Sequence, residues 1–426
     1  MLQAVELSQR PDLGKPALLP DPLVKMSGKI FTRVTMPRQA GHYVETIAGG
    51  ETVRAFVPAP LPPVPPIKAG SLLRLLNDAQ RALGRLDGVT MLLPSQELFL
   101  YMYVRKEAVL SSQIEGTQST LTDLLLFEEN AKAGVPVDDV REVSNYADAM
   151  MHGLARLEEL PLSLCLNREM HARLLDSGRG ATKDPGAFRR SQNWIGGTRP
   201  GNALYVPPPV DATEDCLRDL EAFIHEDASD LPPLIKAGLI HVQFESIHPF
   251  LDGNGRIGRL LVTLYLCVFD GMEHPLLYLS HYLKENRASY YRLLQEVRES
   301  GAWEAWLEFF LLGVTETANR AFDAARRIAA LFEADRTRIA EGGGASHSAL
   351  RVHELLQRNP FAAAPRLVRE TGLTTPTVNA ALRELERLEI VEEITGKARG
   401  RVYAYAAYMR ILGEGTGSRT EGQLAR

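Results

Sequence analysis

Cysteine is scarce in this chain: Cys165, Cys216 and Cys267 are three residues in 426. An odd, widely spaced set supports neither a disulfide framework nor a zinc ribbon, so free thiols in a reducing cytoplasm are expected. Long apolar runs are lacking too. The longest, Leu260–Phe269 with Thr263 inside it, is about half of what a bilayer requires, and no membrane partner is expected. The opening residues, MLQAVELSQRPD, have neither the basic start nor the apolar stretch of a secretory leader, which points to a cytoplasmic location. No sign of charge prevails: 48 Lys+Arg face 53 Asp+Glu, a net charge of −5. Contact with nucleic acid would therefore need a local basic patch. What is present, 45% apolar and 24% charged residues, describes a folded globular chain and excludes a disordered or fibrous one.

At about 150 residues per domain, the length suggests about three domains. Residues 1–60 read as an extended, Pro-rich N-terminal segment ending in the PAPLPPVPPI run, with a possible hairpin around Gly49-Gly50 just before it. From Ser71 a 3.6-residue apolar period begins, and 61–139 reads as a helical region. Residues 140–340 stay mostly helical apart from FRRSQNWIGGTRPGNALYVPPP, whose Gly-Gly and Pro-Gly signals predict a β-hairpin flap. EGGGASHS, 341–348, reads as a linker, 349–412 as a separate module and 413–426 as a tail.

The segment FESIHPFLDGNGRIGRLL concentrates the chemistry. An apolar helix arrives at His248, and Pro249 ends it. Gly253, Asn254 and Gly255 make a turn that lets backbone approach a ligand closely. A second helix is expected to open at Arg256, with Ile257 and Gly258 in its first turn. Its free amides and positive dipole end favour a phosphate. Arg256 and Arg259 are three apart on one face and suit two successive phosphates. Asp252 is a hard oxygen ligand placed for Mg²⁺, and His248 is a base that titrates near neutrality. The reading is nucleotidyl or phosphoryl transfer. A rival stays open, because His241, Glu245 and His248 share a helical face as zinc ligands would.

HPFLDGNGRIGR resembles the Fic family signature, His-x-Phe-x-(Asp/Glu)-Gly-Asn-Gly-Arg-x-x-Arg, and agrees with it at every specified position. The likeness extends over about Leu61 to Ala340. It implies a mainly α protein: a Fic-type helical core with a β-hairpin flap, an N-terminal helical region and a C-terminal winged helix. It also implies transfer of AMP from ATP to a Tyr, Thr or Ser hydroxyl of a protein, this one included, with release of pyrophosphate. On that resemblance His248 is the catalytic base, Phe250 anchors the loop and Asp252 holds Mg²⁺. Gly253, Asn254 and Gly255 form the anion hole, Asn254 orients the α-phosphate, and Arg256 and Arg259 grip the β- and γ-phosphates. Ile195, Gly196, Gly197 and Thr198 resemble the nucleotide-facing part of the flap. Tyr290 is the candidate for the adenine pocket, with Tyr282 and Tyr291 as alternatives.

SSQIEG, 111–116, is similar to the family's inhibitory motif (Ser/Thr)-x-x-x-Glu-(Gly/Asn). The resemblance pairs Glu115 with Arg259, with Ser111 on the same face, and implies an autoinhibited enzyme. In some relatives the same Glu serves AMP removal. A homodimer is implied by the family alone.

Residues 346–412 hold 10 Lys+Arg and 7 Asp+Glu, a net +3 against −8 for the remainder. Helix, turn at Gly372, helix from Thr375 and two strands look like a winged helix. Thr377, Asn379, Arg383, Lys397, Arg399 and Arg401 are its candidates for DNA contact. Two other functions compete: a DNA-binding regulator whose Fic core senses nucleotide, and a different transfer on the same fold.

Overall fold

A computed structural model of the chain describes residues 38–90, 96–128, 135–226, 230–270, 272, 275–342, 346–396 and 400–417. The Pro-rich segment's first 37 residues, the linker residues 343–345, Lys397 and Arg399, and the tail from Ser418 lie outside them.

Two strands come first, β1 (Gly41–Ala48) and β2 (Glu51–Pro58), paired antiparallel from Gly41 with Pro58 to Ala48 with Glu51. Gly49 and Gly50 join them with φ of +54° and +83°, the two positive values that a two-residue hairpin turn matching strand twist demands. The expected hairpin is therefore present, inside the segment read as extended.

A run of helices follows: α1 (Ala69–Thr90), α2 (Gln96–Ile114), α3 (Leu121–Glu128), α4 (Val137–Arg156), α5 (Leu164–Leu174), α6 (Val210–Ile224), α7 (Pro233–Ile247) and α8 (Asn254–Phe269). Then come α9 (Ser280–Glu285), α10 (Arg287–Ser300) and α11 (Trp303–Glu341). In α7 every residue from Leu234 to Ile247 is buried, so this helix is the axis of the core and needs no polar face. The apolar run of α8 is buried from Leu260 to Leu266, and α8 packs against α7, which explains why that run is long without spanning a bilayer. No helix among the described residues is long and apolar enough to cross a membrane. The 39-residue α11, about 58 Å at 1.5 Å per residue, lies along α1 and carries the chain from the core to the C-terminal module.

That module runs α12 (Ser346–Arg358), β3 (Phe361–Ala363), α13 (Ala364–Thr371), α14 (Thr375–Arg387), β4 (Val391–Glu393), β5 (Val402–Tyr405) and α15 (Ala406–Gly413). Its sheet order is β3-β5-β4, the arrangement of a winged helix. Gly372 closes α13 with φ +69°, and Thr374 caps α14 by accepting from Thr377 N at 3.4 Å. Pro376 is the second helical residue and not the first, because the Thr374 cap starts the helix at Thr375.

Two expectations are corrected. The β-hairpin flap is a loop held by a single antiparallel bridge, Ile195 with Tyr205, around a 3₁₀ turn at Pro200–Asn202. Gly196 and Gly197 at φ +69° and +73°, with Pro200 and Pro207–Pro209 lacking N–H donors, prevent a ladder. The helix expected to open at Arg256 opens two residues earlier, at Asn254, because Gly253 takes the left-handed cap.

Candidate active site

α7 ends on His248, which caps it in the left-handed region at φ 48°, ψ 60°. A non-glycine residue rests there only when its surroundings hold it. The holders are two arginines: Arg189 donates from Nε to His248 O at 3.0 Å, and Arg298 donates to Glu245 O at 3.1 Å and Ser246 Oγ at 3.2 Å. Arg298 also covers the Tyr205 ring at 3.8 Å, and the Tyr205 hydroxyl donates to Ser246 O at 2.5 Å. The flap is thereby fastened to the end of α7. The imidazole of His248 is pushed down to about 3, by burial first and then by Arg298 and Arg189, so it is neutral at neutral pH. Its Nδ1 has no hydrogen-bond partner among the described residues and stands 3.9 Å from Glu245 Oε2. Burial pushes the Glu245 carboxyl up to about 7.

The turn after His248 is built on Phe250, which is fully buried and stacked on His171 at 3.7 Å and 8°. Asn254 closes it: Oδ1 accepts from Phe250 N and Nδ2 donates to Phe250 O, both at 2.8 Å. The Asn254 side chain, 2% exposed, thus shapes the loop by satisfying backbone groups that need partners. Asn193 of the flap donates to the same Phe250 carbonyl at 3.0 Å. His171 donates from Nε2 to Asp252 O at 3.0 Å while Nδ1 accepts from Gly186 N at 2.9 Å, which assigns its tautomer. Burial lowers it to about 4, so the bond persists at neutral pH.

Beyond the turn, α8 opens with free amides and two arginines that are each 4% exposed. Arg256 faces Glu142 at 3.5 Å and Asp252 at 3.6 Å, and its Nε and Nη1 make no hydrogen bond among the described residues. Asp252 keeps a carboxylate that is 43% exposed, with Oδ1 on Gly253 N at 2.6 Å. Arg259 is satisfied instead by α2: its Nε donates to Ser111 Oγ at 2.8 Å, and Nη2 to Ser111 O at 3.2 Å and Glu115 Oε1 at 2.6 Å. Burial works against the Arg259 charge, and Glu115 beside it more than restores it.

Glu115 is the first residue past α2, where that helix's own dipole disfavours a carboxylate. The carboxylate lies instead over the start of α8: a Cβ on Gly255 would stand 2.5 Å from Glu115 Oε1. It occupies ground suited to an anion. Behind it, Glu107 is fully enclosed with hydrogen bonds to Ser280 and Tyr146, and burial pushes it up to about 7.

His248, Asp252, the Gly253–Gly258 stretch, Arg259, Ser111 and Glu115 thus gather around one helix start. Of the flap, Asn193 reaches the loop at Phe250 O, whereas Ile195 pairs with Tyr205 and Thr198 N bonds Asn202 Oδ1 at 3.0 Å, both within the flap itself. Tyr290 is 1% exposed, tilted at 45° against Trp306 with ring centroids 6.0 Å apart, and its hydroxyl donates to His241 Nε2 at 2.8 Å, so it packs the core behind the site. Of the three tyrosines weighed for adenine, Tyr291 has the exposed ring, at 42%. The zinc reading fails, because His241 spends its nitrogens on Gly258 O and Tyr290, and no cluster able to hold a metal occurs among the described residues. Glu142, His171, Arg189 and Arg298 were not legible as site residues. They lie far along the chain from the glycine loop, and no local pattern marks them.

Residues 73–155 match the sequence model of the Fic/DOC family N-terminal region, 161–266 that of the Fic/DOC family, and 346–392 that of a winged helix-turn-helix DNA-binding domain. Protein adenylyltransferase Fic of Drosophila virilis is 32% identical over 190 residues, 44% of this chain and 36% of that protein. The Drosophila melanogaster protein of the same name is 28% identical over 227 residues, 52% of this chain and 42% of that one. The chain spans well under half the length of these curated relatives. A crystal structure of a Fic family protein from Desulfovibrio desulfuricans G20 shares the fold, with TM-score 0.53 at 22% identity over 81% of this chain and 98% of that one. The chain carries a Fic N-terminal region, a Fic domain and a winged helix.

Proposed function

We propose, from the Fic/DOC family to which residues 73–155 and 161–266 belong, that this protein is an adenylyltransferase moving AMP from ATP to a Tyr, Thr or Ser hydroxyl of a protein, itself included. One observation carries the reading: a neutral imidazole, on a residue whose backbone carbonyl Arg189 holds, precedes a helix start whose buried Arg256 keeps Nε and Nη1 without a hydrogen bond among the described residues. Nδ1 of His248 is enclosed, which leaves Nε2 as the nitrogen to accept the proton of the incoming hydroxyl. That oxygen bonds to the α-phosphorus, the bond from the α-phosphorus to the bridging oxygen breaks, and pyrophosphate departs. Arg256, the α8 amides and Arg259 hold the phosphate charge, so the chemistry is mostly positioning and charge stabilisation. One half-exposed carboxylate, Asp252, beside a phosphate site is a donor set that suits Mg²⁺, which completes its shell with phosphate and water oxygens. Asp252 would hold the ion, which supplies charge neutralisation of the phosphates.

The same reading makes the enzyme autoinhibited. The Glu115 carboxylate lies on Gly255 and takes Arg259, the group meant for the γ-phosphate. Intact-mass measurement with ATP and Mg²⁺ tests both statements: Glu115→Gly should gain one AMP faster than the wild type, and His248→Ala should gain none. Label from γ- and not α-labelled ATP would overturn AMP transfer. The reading includes a cytoplasmic homodimer, checked by light scattering. A second reading, DNA binding by the C-terminal module, is favoured by a cleft of about 670 Å³ lined by Thr375, Asn379, Arg383, Arg401 and Tyr403. A salt-dependent gel shift with the full chain tests it.

A further inference from the structure

Between Ser111 and Glu115 stands Gln113, which has no part in the transfer reaction. Its Nε2 donates to Ser119 O at 2.8 Å and to Thr416 O at 3.0 Å, and its Oε1 accepts from Lys284 Nζ at 2.6 Å. The same ammonium donates to the carbonyls of Gly415 and Gly417, both at 3.3 Å. Thr416 is 2% exposed and folds its hydroxyl back to Gly413 O at 2.8 Å. Gly415, at φ +83°, runs flat across an imidazole: a Cβ there would stand 2.0 Å from His281 Nε2. Only glycine meets both demands. Glu414 adds two hydrogen bonds from Arg327 of α11, at 2.7 and 2.9 Å. These four residues follow α15 directly, and α15 follows β5, the central strand of the winged-helix sheet, with no intervening loop.

We propose that Glu414–Gly417 is a latch that holds the last turn of α2, and with it Glu115, on Arg259, and that Gln113 is the positioning residue through which it acts. The proposal rests on the reading of Glu115 as a brake. The last turn of α2 needs such a hold. It ends in a carboxylate that its own dipole disfavours, followed by Gly116 at φ +110°, and helix ends of that kind open locally at low cost. Arg259 grips the turn from one side and the latch from the other. Because the latch is an extension of β5, whatever seats on or displaces the winged-helix module bears on how firmly Glu115 is held.

The test uses the full chain as wild type, Gly415→Val and Gln113→Leu, each with and without Glu115→Gly. Hydrogen exchange at the amides of Ser112–Gly116 should quicken about tenfold in both latch variants, while Met102–Leu110 exchange as in the wild type. Label from α-labelled ATP should rise about tenfold when Glu115 is present, and not further in the Glu115→Gly chain. Unchanged exchange, or an equal rise in both backgrounds, overturns the latch. If no chain takes up label, AMP transfer fails as the activity, while the exchange result still decides the latch. Gln113→Leu keeps side-chain length, so it carries the test should Gly415→Val not fold.

Discussion

Arg256 and Arg259 stand one turn apart at the head of the same helix, both 4% exposed, and their surroundings are opposite. On the Arg256 side the acceptors Glu142 and Asp252 stay at 3.5 and 3.6 Å, leaving two guanidinium nitrogens without a hydrogen bond among the described residues. On the Arg259 side Ser111 and Glu115 close to within hydrogen-bond reach. A buried guanidinium left partly unpaired is costly, so one side keeps its capacity for an anion while the other has spent it on a carboxylate of the same chain. One stretch of sequence has produced a poised half-site and a plugged half-site.

The comparison can be broken at several points. Replacing His248 by Ala in the Glu115→Gly chain removes the proton acceptor from both halves at once, and kcat for AMP transfer should fall by about 10²–10⁴-fold. Retained activity would mean that the poised half-site serves other chemistry. Glu115→Gly alone should raise transfer by about ten- to a hundredfold, the range expected when one charge-assisted hydrogen bond is lost, with a lower KM for ATP. Asn254→Ala leaves Phe250 N without its partner in the buried turn and Phe250 O with the Asn193 donor alone. A loss of about 2 kcal/mol in urea unfolding is expected, and an unchanged midpoint would show that the turn does not depend on that tie. Ser111→Ala removes the smaller part of the plug, so only a few-fold rise in transfer is expected. A rise equal to that of Glu115→Gly would place the brake in the serine.

The smallest effect is that of pH. His171, His241 and His353 are lowered to about 4 and His248 to about 3, all chiefly by burial, whereas Glu107 and Glu245 are raised to about 7 by burial. The histidines take up protons only on unfolding, so their contribution to stability is lost as pH falls from their unfolded value near 6.5 through 4 and 3. The glutamates are protonated in the fold, so theirs grows as pH falls from 7 to about 4.5 and then stops. Tm should therefore decline gently from pH 6.5 to 4.5 and steeply below. No decline at all between pH 6.5 and 4.5 would mean that the buried histidines are not held neutral, and a steep loss already at pH 6 would mean that Glu107 and Glu245 do not offset them.

Much of this was legible in advance, and the reason is visible in particular residues. The 3.6-residue apolar period marks α1, Gly49-Gly50 marks the hairpin, and the Thr374 cap marks α14, each a local feature with a local cause. The glycine loop stands out in the sequence because its signature is contiguous, and Phe250, read as its anchor, is enclosed. The flap was over-read as a hairpin because Gly-Gly and Pro-Gly signal a turn without saying whether a ladder follows. The partners of the loop were not legible at all. Glu142, His171, Arg189 and Arg298 come from α4, α5, the flap root and α10, brought to the site only by packing around α7.

The amino-acid order by itself determined the turn, the cap and the helix start that can receive a phosphate, because backbone conformation and dipole depend on neighbours in the chain. Tertiary structure decided which of two equivalent arginines keeps nitrogens without a hydrogen bond among the described residues, that the imidazole stays neutral, and that the end of α2 is tied to the chain's last described residues. Burial and charge are properties of whatever folds against a residue, and no stretch of sequence contains its own surroundings.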